Sequence, residues 1–476
     1  MINDVVYKQI LKYFLHQPTG DQNTAIKHLS AFDQSKKKNP VYILKGFAGT
    51  GKTSLMSAYV SMLSDNKKKF VLLAPTGRAA KVLSKYTGNK AHTIHRYIYH
   101  ITTTSEGYYK ILLSHNRLKD AVFIIDEASM ISDNSKQTGE LFGNRNLLED
   151  LISYVFSRDN NKMILVGDTA QLPPVGLNIS PALDIKYIKS SFNVIAFEYE
   201  MKEVMRQAID SGVLNSATNL RKKISDNKPV SILFSKSDFK SDTHVIEDGS
   251  TFEELLQESF TNQNIENGII VCRTNKRANL FNRQIRNSIL FRESEIEGGD
   301  VLMVVKNDYY WLDKDSKAGF IANGDILEVI RIIKTEELYG FKFADADVRL
   351  VDYPEEKEIN VKLLLSTINS EGPGLSNTDR NTLFKNIEED YMDIPERRKR
   401  ISEIMINPWY NALHIKFAYA MTCHKTQGGQ WTQVFVDQGY LTDDMLNKEY
   451  LRWLYTAVTR STSKLYLVNF NKEFFE

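Results

Sequence analysis

The residues Gly46-Phe47-Ala48-Gly49-Thr50-Gly51-Lys52-Thr53 follow an apolar run, precede a helical pattern and match the spacing G-x-x-x-x-G-K-[ST]. Glycines at these positions let backbone N–H groups approach phosphate oxygens where a Cβ would block them. The helix that begins at Lys52 points its positive end at the same place. In this reading Gly46, Ala48, Gly49, Thr50, Gly51 and Ser54 cradle the phosphates of a nucleoside triphosphate. Lys52 reaches the β- and γ-phosphates, and the Thr53 hydroxyl holds Mg2+. Asp126 and Glu127 follow the run VFII, so they project from a strand end. Adjacent carboxylates there can divide two tasks, Asp126 holding the hydrated Mg2+ and Glu127 polarising an attacking water. Gln171, in GDTAQLPP, is a neutral amide that can sense a γ-phosphate without titrating. Arg206 in MKEVMRQ and Arg460 in LYTAVTRS supply guanidinium groups suited to the charge that develops on a transferred phosphoryl group. Either arginine alone reads as a surface residue; the joint pattern gives them weight.

Strands must hold these groups. VYILKGFAG, FVLLAPTG, VFIIDEAS and MILVGDTAQ each read as an apolar strand running into Gly, Pro, Asp or Ser, and KTSLMSAYVSML between the first two has helical spacing. Strand, loop, helix, strand in this order predicts an α/β fold with a parallel sheet covered on both faces, whose ligands collect at the carboxyl ends of the strands. A second series starts near residue 200, with GIIVCRTN, the helix KRANLFNRQIRNSIL, and then HIKFAYAMTCHKTQ and KLYLVNF. The expected organisation is a first lobe over 1–95 and 121–199 and a second over 200–325 and 413–476. The insert 326–412 alternates apolar and polar residues in DILEVIRII and GFKFADADVRLVD, as a small β-barrel does, before it turns charged. The insert 96–120 places two β-prone runs around Ser105-Glu106-Gly107, which fits a hairpin or an ordinary surface loop.

Composition narrows the class. The chain has 476 residues, 42% of them hydrophobic and 25% charged, as in a soluble globular protein of more than one domain. No stretch approaches the roughly 18 apolar residues that cross a bilayer, and the N-terminus reads as an amphipathic helix rather than a secretory signal. The two cysteines, Cys272 and Cys423, have no metal-ligand spacing and fit a reducing cytoplasm. A net charge of +2 leaves the partner open: nucleic-acid binding would need a local basic track rather than the field of the whole chain.

GFAGTGKT, APTGRAAKVLS, HTIHR, IIDEASM, GDTAQLPPV, VMRQ, MTCHKTQGGQW and YTAVTRS occur in the order found in superfamily 1 helicases. Their wording resembles the RecD/Dda branch, whose members track along single strands from 5′ to 3′, and the likeness runs from about Gln22 to Arg460. The resemblance implies two RecA-like P-loop parallel-sheet lobes, with a β-hairpin pin inserted in the first and an SH3-like β-barrel in the second. It implies ATP and Mg2+ as cofactors, single-stranded DNA and fork junctions as partners, no membrane, and a monomer. By resemblance Gln22 reads adenine, though its position also fits a polar helix residue; Gln427 and Gly428 couple the DNA track to the nucleotide. Gln430 stands beside the ribose where relatives often have Glu, which leaves sugar selectivity open. Pro75, Thr76, Arg78, Thr93, His95, Thr422, His424 and Lys425 match DNA-contact segments, while His95 and His424 fit core positions as well. Tyr97, Tyr108 and Tyr109 are candidates for stacking on a base or for packing within the hairpin. The implied activity is ATP-driven unwinding. The alternatives are a translocase that displaces bound proteins and a non-motor binding subunit with a vestigial ATP site. Backbone grip and stacking suit RNA as well as DNA, and the resemblance favours DNA.

Overall fold

A computed structural model describes residues 4–14, 16–103, 109–133, 146–205, 211–226, 233–261, 267–313, 316, 318–372 and 374–476. The expectations for Arg206 and Tyr108 fall outside this set, as does the side chain of Tyr109. The apolar runs become strands because each is short, rich in β-branched residues and followed by a turn former. The first lobe contains β1 (Pro40–Gly46), β2 (Lys69–Ala74), β3 (Ala91–Thr93), β4 (Tyr99–Thr103), β5 (Tyr109–Leu113), β6 (Ala121–Ile125), β7 (Lys162–Gly167) and β8 (Ile195–Met201). Six of them form a parallel sheet in the order β3-β2-β6-β7-β1-β8. Alternation along β1 puts Tyr42 and Leu44 against Leu55 and Met56 of the helix Lys52–Asp65. Val41 and Ile43 face the opposite way, into a core shared with Leu183 and Ile98. The crossing from β7 to β1 places both the phosphate loop and GDTAQ at neighbouring strand ends.

β4 and β5 pair antiparallel from Tyr99↔Leu113 to Thr103↔Tyr109, so two strands of a hairpin are present; its connection, 104–108, lies outside the described residues.

In the second half come β9 (Thr243–Ile246), β10 (Gly268–Cys272), β11 (Val301–Val304), β12 (Ile326–Leu338), β13 (Phe341–Leu350), β14 (Ile359–Leu364), β15 (Leu413–Phe417), β16 (Ala420–Thr422), β17 (Trp431–Asp437) and β18 (Ser461–Val468). A second parallel sheet has the order β16-β10-β17-β18-β9, and β11 to β15 close into a barrel. The barrel is wider in sequence than the 326–412 insert. The three strands inside that segment would leave two open edges, and β11 and β15 close them. The run HIKFAYAM, read as one strand, therefore divides. Its first half joins the barrel and its second half joins the lobe's sheet. Asn282 holds the bend, donating to the Phe417 and Ala420 carbonyls at 3.2 and 3.0 Å and accepting from the Ala420 N–H at 2.7 Å. The charged stretch forms the helices Asn377–Glu389 and Arg397–Met405, whose Leu383, Ile387 and Ile404 pack on Phe341, Phe343 and Leu364 of the barrel.

The barrel docks on the first lobe through Arg96, which donates to the Phe320 carbonyl and, at 2.5 Å, to the buried Asp325 carboxylate. Burial pushes the Asp325 carboxyl up to about 6 in spite of Arg96, so desolvation outweighs the attraction within the pair. The contact therefore serves to fix position more than to add stability. No helix among the described residues is long and apolar enough to cross a membrane. Cys272 and Cys423 are buried free thiols.

Candidate active site

Gly49 and Gly51 adopt φ of +77° and +83°, a region that L side chains avoid. A Cβ on Gly46 would lie 2.8 Å from Thr50 Oγ1 and 3.0 Å from Lys52 Cγ, too close for any side chain. The three glycines thus make the loop possible. Lys52 Nζ donates to the Gly46 carbonyl at 2.6 Å and the Phe47 carbonyl at 3.0 Å, so its charge sits inside its own loop. Thr53 and Ser54 are exposed on the first turn of the helix that follows. Gln22 is 2% exposed: its Oε1 accepts from the Thr19 N–H in a capping box, and its Nε2 donates to the Thr50 carbonyl at 3.0 Å. The Met205 N–H donates to the Gly49 carbonyl at 3.0 Å, which fastens the chain immediately before Arg206 to the phosphate loop.

Asp126 stands at the end of β6. Its Oδ1 accepts from the Glu127 N–H at 2.9 Å and its Oδ2 from the Tyr86 hydroxyl. Glu127 has φ of +50°, a conformation that costs a non-glycine residue about 1–3 kcal/mol and is retained where surrounding structure enforces it. Burial pushes the Glu127 carboxyl up; Arg460 and Lys52 pull it down, and the carboxylates of Asp126 and Asp168 push it up again. A carboxylate with raised basicity is suited to accept a proton from water. Asp168, at the end of β7, is also raised, chiefly by burial, against the pull of Lys52, the Tyr455 hydroxyl, the Ala170 N–H and Arg460.

The second lobe completes the pocket. Tyr455, on the helix Lys448–Val458, donates to Asp168 Oδ2 at 2.6 Å and accepts from the Ala48 N–H of the phosphate loop at 2.9 Å. The Leu172 N–H donates to Thr456 Oγ1 at 2.9 Å, and Gln427 Nε2 donates to the Leu172 carbonyl at 2.8 Å. Arg460 is 4% exposed and held by the carbonyls of Thr456 at 3.0 Å and Gly429 at 3.2 Å. Its charge is felt by Glu127 and Asp168 of the first lobe. Gly428, at φ +75°, lies so near Ala79 that a Cβ would approach that residue's Cβ to 2.6 Å, while Gln430 is exposed. Gln171 is 8% exposed and its Oε1 has no hydrogen-bond partner. Lys52, Asp126, Glu127 and Arg460 are thus gathered into one interacting cluster, together with three residues that the motifs leave unassigned: Tyr86, Asp168 and Tyr455. Tyr455→Phe removes two cross-lobe hydrogen bonds, a buried one to a carboxylate and a half-buried one from the Ala48 N–H, and is expected to lower stability by about 1.5–3 kcal/mol in denaturant unfolding.

The AAA-domain family model matches residues 18–228, and the UvrD-like helicase C-terminal-domain model matches 417–468. An uncharacterised protein of Acanthamoeba polyphaga mimivirus is 25% identical over 94% of this chain and 98% of its own length. The ATP-dependent DNA helicase Dda of Enterobacteria phage T4 is 26% identical over 63% of this chain and 64% of its own. The ATP-dependent RecD2 DNA helicase of Deinococcus radiodurans is 30% identical over 37% of this chain, which spans 21% of that protein. This chain is a superfamily 1 helicase of the RecD/Dda type. A solved structure of Pif1 helicase from Bacteroides with ADP-AlF3 and ssDNA superposes with a TM-score of 0.47 at 15% identity, covering 97% of this chain and 95% of that one.

Within this superfamily 1 chain, several residues matching DNA-contact segments are engaged inside the protein. Thr76 and Thr93 cap helices, accepting from the N–H groups of Ala79 at 3.2 Å and Arg96 at 3.3 Å; Thr93 is buried. The Arg78 guanidinium lies 3.9 Å from the Trp431 ring centre and reaches the Gln430 carbonyl, linking the lobes. Burial lowers His95 to about 4, so it is a neutral histidine beside Tyr99. Tyr97 packs edge-on against Phe123 and Tyr154. Pro75, Thr422 and His424 are half-buried, and burial lowers His424 as well. Lys425 Nζ is buried without a hydrogen-bond partner.

Proposed function

We propose that the protein hydrolyses ATP to move 5′ to 3′ along single-stranded DNA and separates strands at a fork. The observation that carries this reading is the divided pocket: loop, Lys52 and carboxylates from one lobe, a buried Arg460 from the other. Loop N–H groups and Lys52 bind the phosphates, Glu127 accepts the proton of the attacking water, and Arg460 stabilises charge on the transferred group. Thr53 and Asp126 present the oxygen donors that magnesium prefers and would hold the ion, which would neutralise phosphate charge there. Arg206 is assigned the second guanidinium role on its sequence position. ATP favours closed lobes, and losing the γ-phosphate removes what Arg460 holds, so the lobes part. Gln427 and Leu172 connect that movement to TCHKTQ, the segment proposed to grip the strand.

Burial, and secondarily Lys416, lower Lys425 to about 8. Its charged form exists below that pH and is the form a phosphate attracts. Affinity for single-stranded DNA is therefore expected to fall as pH rises from 7 to 9, and Lys425→Arg, which stays charged, should flatten that fall in a fluorescence-anisotropy titration. The β4–β5 hairpin is proposed as the wedge. Opening a base-pair step costs about 1.4 kcal/mol on average, within reach of a passive splitter. Trimming Thr103–Tyr108 should spare DNA-stimulated ATPase and weaken unwinding; equal loss of both would rule out a separate wedge role.

The direct test is unwinding of matched forks bearing a 5′ or a 3′ DNA tail, with RNA controls. Unwinding of the 5′-tailed fork alone is expected. Preference for the 3′ tail, or release of bound protein without strand separation, would overturn the reading.

A further inference from the structure

A cavity of about 180 Å³ has Asp168 in its wall, beside the candidate active site. Lys45 on its wall continues the row Val41, Ile43, on the sheet face opposite the helix that follows the phosphate loop, and Leu183 on the same wall belongs to that opposite core. Asp168 and Gln171 are shared walls: they line the cavity, and Asp168 also senses Lys52 and Arg460. Three buried polar atoms of cavity residues lack any hydrogen-bond partner: Ser129 Oγ, Gln171 Oε1 and Arg452 Nε. Ser129 is 1% exposed and Gln171 8%. Other buried side-chain atoms among the described residues also lack a partner; what singles this wall out is that three of its residues carry one.

The charges around it limit what that is. Lys45 and Arg452 are cations, Lys45 paired with Glu198 and Arg452 donating through Nη1 to the Asn178 carbonyl. Each of the two wall carboxylates accepts hydrogen bonds from the protein. Asp184 Oδ1 caps a helix through the Lys186 and Tyr187 N–H groups, and Asp168 accepts from Tyr455 and the Ala170 N–H.

We propose that this cavity binds inorganic phosphate, the product of the hydrolysis proposed above and dependent on that reading, after it leaves the nucleotide pocket. Hydrogen phosphate both accepts and donates. Its oxygens take the Arg452 Nε–H, the Ser129 hydroxyl and the Lys45 ammonium, and its P–OH meets Gln171 Oε1. Sulfate has the same shape and no proton at neutral pH, so it leaves Gln171 Oε1 unpaired and binds more weakly. Arg452 belongs to the second lobe and Asn178 to the first, so parting of the lobes withdraws one wall and frees the anion.

The test is equilibrium binding of radiolabelled inorganic phosphate to the full chain saturated with ADP, for the wild type, Lys52→Ala, Ser129→Ala and Arg452→Gln, with ATP turnover of the wild type measured alongside. Phosphate should bind the wild type and Lys52→Ala alike, at least fivefold more weakly to Ser129→Ala and Arg452→Gln, and sulfate should compete at least tenfold less well than phosphate. Unchanged ADP affinity in Ser129→Ala would show that the variant is folded. Binding lost in Lys52→Ala but kept in Ser129→Ala would place the anion on the phosphate loop and overturn the proposal. So would absent binding or equal competition by sulfate, which would leave the cavity to water. A wild type that binds phosphate but does not turn over ATP would refute the motor reading and leave the anion site standing.

Discussion

Arg460→Ala should cut ATP turnover about a thousandfold or more while ATP affinity stays within a few-fold, as expected when a guanidinium acts on charge that appears only in the transition state. The side chain is 4% exposed, and two carbonyls of its own lobe, Thr456 and Gly429, fix its direction. It is therefore presented without further ordering when the lobes close. Its field reaches Glu127 and Asp168 although it belongs to the other lobe. Arg460→Lys keeps the charge but loses the planar fork, and should fall between the wild type and alanine. Steady-state turnover with saturating single-stranded DNA, paired with equilibrium binding of a fluorescent ATP analogue, separates the two quantities. Parallel loss of binding and turnover would mean that Arg460 holds the ground state instead.

Lys52→Ala should reduce turnover to background; the lost stabilisation of phosphate charge alone is worth about 10²–10³ in rate. Lys52 Nζ donates hydrogen bonds to Gly46 and Phe47 of its own loop, and its charge also steadies the buried carboxyls of Glu127 and Asp168. Loss of activity in a protein that still unfolds in one cooperative transition is the expected pair of results. ATPase persisting in the purified variant would remove the phosphate loop from the mechanism.

Much of this architecture could be read from local pattern. VYILKG, VFII and MILVG are apolar on both faces because helices cover both, and each ends where a functional group is needed, so strand and site were legible together. The barrel's limits were not. Whether HIKFAYAM stays in one sheet depends on Asn282, more than a hundred residues away, bonding across the bend. Tyr86 and Tyr455 went unnoticed for the same reason: a tyrosine in a helical pattern looks alike whether it packs in a core or donates to Asp126 or Asp168. Motif membership also hid second duties. Thr76 and Thr93 occupy segments that resemble DNA-contact motifs, yet each also meets the local demand of a helix start for a side-chain acceptor. Arg78 satisfies a cross-lobe stack on Trp431 that neither segment reveals alone.

The central claim is that nucleotide state sets the separation of the lobes. Single-molecule energy transfer between dyes at Ser64 and Glu258, exposed positions in the two lobes, measures it directly in DNA-bound protein. A non-hydrolysable ATP analogue should give one short-distance population and ADP a longer one, with Arg460→Ala losing the difference. Identical distances with both nucleotides in the wild type would contradict the account.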